Sequence, residues 1–109
     1  MTRPAVLAVL LAAAVLEAGG DALIRIGVRE HSGVARGVFL VCGALVLAAY
    51  GLTVNLPSWD FGRLLGIYVV CFFLVAQVIS VVVFHQQPSR AVFAGGALII
   101  AGGVVLTLW

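Results

Sequence analysis

Apolar residues fall in four long runs, at about residues 4–27, 34–54, 62–84 and 91–108. The polar breaks between them are Arg29-Glu30-His31-Ser32-Gly33, Asn55-Leu56-Pro57-Ser58-Trp59-Asp60 and His85-Gln86-Gln87-Pro88-Ser89-Arg90. Roughly 20 apolar residues in a helix cross the hydrocarbon of a bilayer, so each run predicts one transmembrane helix. Pro4 suits a first helical turn, where its missing N–H would have no partner. Connections this short make consecutive helices antiparallel neighbours in a four-helix unit and put both termini on the same side. The chain is thus expected to be one all-α transmembrane domain, residues 1–109.

Composition narrows this further. Of 109 residues, 64% are hydrophobic and 9% charged, with a mean hydropathy of +1.28, which excludes an ordinary soluble domain. Arg3 followed by an alanine-rich stretch resembles a signal peptide, but the stretch is too long, carries Glu17 and Asp21, and precedes three further spans. It is read as a retained helix. All 6 basic residues are Arg, among abundant Ala, Val, Gly and Leu. That bias points to a GC-rich bacterial genome, and so to a multi-pass protein of the bacterial inner membrane.

Arg3 and Arg63 fall on the terminal side, against Arg29, Arg36 and Arg90 on the other with Arg25 near that boundary. The positive-inside rule would place both termini outside, though by a small margin, as in a chain that inserts in both orientations. Trp59 and Trp109 lie at span ends, where indole anchors to the headgroup boundary. Cys42 and Cys71 lie within spans with no ligand cluster near them, so no metal site is expected. No cofactor is expected either. A net charge of +2 on a membrane protein gives no reason to expect a nucleic-acid partner, and no nucleotide loop, triad or hydrolase motif marks an enzyme.

The chemistry gathers in the first span. Glu17, Asp21 and Arg25 are spaced four apart and therefore share a helix face. Asp21 and Arg25 stand in the favourable order for an ion pair, acid nearer the N-terminus, and Arg25 is close enough to the helix end to snorkel towards water. Glu17 is two turns from Arg25, roughly 12 Å by helical rise, and is left as the unpaired acid. A carboxylate in hydrocarbon costs roughly 2.5 kcal/mol or more, and such residues face a cavity, a partner or a substrate. A carboxylate that holds a proton or a cation, but not both, couples the two fluxes by competition. The bland alternative is a protonated Glu hydrogen-bonded inside the bundle.

Tyr68, Phe72, Phe73, Gln77 and Ser80 are the third span's contributions. Tyr68 is a candidate to stack on a cation, with packing as its alternative. Gln77 needs a hydrogen-bond partner, either a neighbouring helix or a substrate path. His85 reads as a solvated interface residue. Ala18, Gly19, Gly20 and Ala22 thin the first helix beside Glu17. In the fourth span Gly95, Gly96, Gly102 and Gly103 form small-residue pairs a heptad apart, the pattern of a tight helix seam within or between subunits.

On these residues the chain resembles the small multidrug resistance family, the four-helix branch of the drug/metabolite transporter superfamily, over nearly its whole length. Ala14-Val15-Leu16-Glu17-Ala18-Gly19-Gly20, followed by Arg25, is similar to that family's membrane Glu with a Gly three residues on and a basic residue eight on. Pro57 and Gly62 match a proline and a glycine at the loop to helix three. Gly95 and Gly102–Val104 resemble the helix-four dimer contact, to which Gly103 belongs. The resemblance implies an antiparallel homodimer of dual-topology subunits whose two helix-one carboxylates share one site for protons and cationic substrates, with Glu17 in that role. Three positions differ: Tyr68 stands near the usual helix-three Trp, the usual helix-two tyrosines are missing around Cys42, and Asp21 replaces a small or hydroxyl residue.

The expected function is proton-coupled export of a small cationic or polar-aromatic compound, with Glu17, Tyr68, Gln77 and Asp21 lining its path and membrane lipid around a homodimer. Two rivals stand beside it. One is a subunit of a lipid-carrier flippase of the same superfamily, which needs a sister chain and usually lacks the helix-one Glu. The other is a non-transporting assembly subunit whose acids pair with another protein.

Overall fold

A computed structural model describes residues 1–108; Trp109, expected as an interface anchor, lies outside the described residues. The described chain is all-helical: α1 is Arg3–Glu30, α2 Gly33–Val54, α3 Phe61–Val82 and α4 Arg90–Leu108. All four are long and apolar enough to cross a membrane.

Thr2 starts α1 by accepting the Ala5 N–H on its hydroxyl at 3.3 Å, with proline in the first turn. At 28 residues, α1 is about 42 Å long, more than the hydrocarbon thickness. The break expected at 29–33 shrinks accordingly: Arg29 and Glu30 are helical, and only His31 and Ser32 separate α1 from α2. Gly33 makes the reversal, at φ +63°, a left-handed conformation that side chains disfavour. Arg36 folds back over the end of α1. Its Nε donates to the Gly27 and His31 carbonyls at 3.2 and 3.0 Å, and its Nη2 to the Val28 carbonyl at 3.2 Å, satisfying acceptors that a helix end leaves bare.

The end of α3 also departs from expectation, at Val82 and not Phe84. His85 adopts the left-handed region at φ 56°. This turns the chain so that the Gln86 N–H reaches the Ser80 carbonyl at 3.0 Å while Ser80 Oγ donates to Gln86 Oε1 at 2.9 Å.

Helix α1 lies between α2 and α3, and α4 packs on α3 alone. The expectation that consecutive helices are all close neighbours therefore fails for the backbones of α2 and α3, which meet only through side chains such as Tyr50 and Tyr68. The reason is visible in the α1–α2 seam. Gly43 leaves its Cβ space to Ile24 and the Gly20 carbonyl, and Gly27 does the same for Phe39, so these two backbones approach closely. The six-residue connection 55–60 then carries the chain past α1. Gly66 meets Leu106, Val70 meets Gly103 and Phe73 meets Gly96, an antiparallel register of α3 and α4. Arg63 Nε donates to the Leu106 carbonyl at 2.9 Å, holding the end of α4 to the start of α3.

Packing concentrates where α1 and α3 meet. Val6, Leu10, Ala13, Ala14, Val54, Leu64, Ile67 and Tyr68 form the buried core. Large apolar side chains elsewhere face outwards, including Val41, Leu45 and Leu52 of α2 and Leu98, Val105 and Leu108 of α4. In water such continuous apolar surface is a liability; in hydrocarbon it is the expected lipid-facing or partner-facing side.

Candidate functional site

Tyr68 is the polar member of the core and only 4% exposed. The alanines of α1 make room for it: Ala13 and Ala14 are fully buried and belong to the same cluster. Its hydroxyl donates to Glu17 Oε1 at 2.8 Å. The two residues the sequence singled out separately thus form one unit, and the need of a buried phenol for an acceptor is met by the acid of α1. Glu17 itself is half-buried. The bond occupies Oε1, and the second carboxylate oxygen makes no hydrogen bond among the described residues.

Two aromatic rings frame this pair. Tyr50 of α2 stacks on Tyr68 with centroids 5.6 Å apart and planes at 29°, and Phe72 lies 6.2 Å from Tyr68 on the following turn. Tyr50 is a site residue absent from the sequence expectation, because it lies about two turns beyond Cys42, the level at which the resemblance places helix-two tyrosines. The antiparallel register was the signal that could have found it. With Gly20 against Gly43 and Leu47, the level of Glu17 on α2 falls towards Tyr50.

One turn along α1, Asp21 and Arg25 line a cavity of about 280 Å³ with Ala18, Ala22, Phe72, Ala76, Ile79, Ser80, Phe84 and Gln86. The expected Asp21–Arg25 ion pair is not formed: among the described residues no ion pair joins an Arg to a carboxylate. The Arg25 guanidinium instead sits over the Phe84 ring, 5.4 Å from its centroid, a cation–π arrangement. The spacing of Asp21 and Arg25 permits a pair but does not compel one when an aromatic face competes at the helix end.

Gln77 is not part of this site. It lines a separate groove between α3 and α4 with Phe73, Leu74, Pro88, Phe93 and Gly96 among others. It occupies another face of α3, about two and a half turns along from Tyr68. The glycines of α4 also divide. Gly103 is taken up inside the chain by Val70, as Gly96 is by Phe73, whereas Gly95 and Gly102 would present a Cβ to open space. The seam expected of Gly95, Gly102 and Gly103 together is therefore two faces, with Gly103 on the internal one. Cys42 and Cys71 are free thiols, and among the described residues no cluster of metal-ligating side chains occurs.

These features define an all-helical, multi-pass membrane protein with a carboxylate–phenol pair at the contact of two spans. Comparison with known proteins gives its family. Residues 4–109 match the family described as "Uncharacterised BCR, YnfA/UPF0060 family", and the chain belongs to it. It is similar to a UPF0060 membrane protein of Kineococcus radiotolerans, 35% identical over 92% of this chain and 89% of that one. Another of Rhodococcus erythropolis is 33% identical over 97% of both chains. A third, of Frankia casuarinae, is 39% identical over 86% of this chain and 84% of the relative. No solved structure matches.

Proposed function

We propose that the protein is a proton-coupled exporter of small compounds bearing a cationic group, similar in plan to the small multidrug resistance transporters. Protons and substrate compete for Glu17. The observation that carries this reading is the 2.8 Å bond from Tyr68 to Glu17 Oε1: it fixes one oxygen of an intramembrane acid by a neutral donor and not by a cation. A fixed cationic partner would hold the carboxylate permanently charged, whereas a phenol lets it exchange a proton for a positive group.

Tyr50 and Phe72 supply faces on which a cation can stack. The open faces of Gly95 and Gly102, with α4 packed on α3 alone among the described residues, support a dimer through α4, in which two copies of Glu17 would serve one pathway in the bacterial inner membrane. The presence of Glu17 disfavours the lipid-carrier flippase reading.

The test is proton release. Guanidinium, quaternary ammonium and polyamine compounds are added to purified protein in weakly buffered detergent. At least one class is expected to release protons from the native protein and none from Glu17→Gln. Release of the same size from the variant would remove Glu17 from the mechanism.

A further inference from the structure

The Asp21–Arg25 cavity poses a problem of its own. Two opposite charges stand one helical turn apart, about 6 Å in rise, on a wall of the same 280 Å³ space. They do not neutralise each other by contact among the described residues. Unpaired charges at membrane depth are expensive and mark substrate or ion paths. The Arg25 guanidinium keeps its in-plane N–H donors uncommitted, because Phe84 engages its face. Gln86 receives the Ser80 hydroxyl on its amide oxygen, which leaves its amide hydrogens to donate near Arg25. Phe72 and Phe84 provide apolar walls. The cavity thus has one acceptor end, at Asp21, and one donor end, at Arg25 and Gln86.

We infer that this cavity receives a short dipolar solute, its ammonium group on Asp21 and its carboxylate on Arg25, with a few methylenes against the aromatic walls. This names the substrate class of the exporter and rests on that reading: the cavity is where the solute is received, and its ammonium group passes one turn along α1, from Asp21 to Glu17, to displace the proton there, the two sites adjoining through Ala18 and Phe72. The volume lies at the small end of ligand sites, which run from about 300 Å³ upwards, and suits a short solute. Arg25, Phe84 and Gln86 also line a second space with Arg29 and Glu30, so the donor end stands between the cavity and the outer end of α1.

The experiment is titration calorimetry of the full chain in nanodiscs with γ-aminobutyrate, its cationic fragment n-propylammonium and its anionic fragment butyrate. γ-Aminobutyrate is expected to bind at least tenfold tighter than either fragment. Arg25→Gln should bring it level with n-propylammonium, Asp21→Asn should bring it level with butyrate, and Arg25→Lys should restore part of the preference. Equal affinity for γ-aminobutyrate and n-propylammonium in the native protein, or a preference unchanged by Arg25→Gln, overturns the assignment. Proton release is read in the same samples. Glu17-dependent release by n-propylammonium without a dipolar preference defeats this inference alone. A dipolar preference with no Glu17-dependent release supports the cavity and defeats the export reading.

Discussion

Tyr68 donates to Glu17 across 51 positions of sequence at 2.8 Å, tying α3 to α1 through the acid that the rest of the polar site surrounds. Interhelical hydrogen bonds in membranes average about 0.6 kcal/mol, so this bond is a weak reason for the fold and a strong constraint on where the carboxylate points. Tyr68→Phe should therefore leave thermal unfolding in detergent nearly unchanged while weakening substrate affinity about tenfold. A loss of folded protein with native affinity in what remains would show that the bond serves packing.

The α1–α2 seam makes a prediction about stability alone. Gly43→Leu forces a side chain against Ile24 and the Gly20 carbonyl, and overpacking of this kind costs about 1–3 kcal/mol. Gly37 is a control, since a Cβ there meets nothing within 4 Å. Unfolding in graded denaturing detergent should show Gly43→Leu destabilised and Gly37→Leu near native.

Neighbouring glycines of α4 should separate by assay. Gly102→Leu keeps the subunit fold and lowers the yield of crosslinked dimer, because Gly102 faces open space; Gly103→Leu collides with Val70 and lowers the yield of folded subunit. Dimer crosslinking unaffected by Gly102→Leu would argue against an α4 interface.

Much of this architecture can be read from the chain without coordinates, since spans of this hydropathy have few alternatives to crossing a membrane as helices. Glu17 is legible for the same reason: an acid in hydrocarbon announces itself. Partners are harder. Tyr68 as the donor to Glu17 depends on α1 lying between α2 and α3, an order that short connections alone do not specify. Asp21 and Arg25 show how an i,i+4 rule yields to tertiary context, because Phe84, placed by the turn at His85, competes for the guanidinium. Gln77 fell on the wrong face for want of a helix rotation, and Gly102 and Gly103 look alike in sequence yet differ by about 100° around the helix. Tyr50 was hidden because its relevance comes from register and not from any local motif.

The central claim is that Glu17 exchanges a proton for a cationic group. Its most direct test is coupled transport in proteoliposomes with an imposed proton gradient, comparing the native protein with Glu17→Gln after confirming equal insertion. The native protein should drive substrate against its gradient at the expense of the proton gradient, and the variant should show neither flux. Full coupled transport by Glu17→Gln would contradict the account.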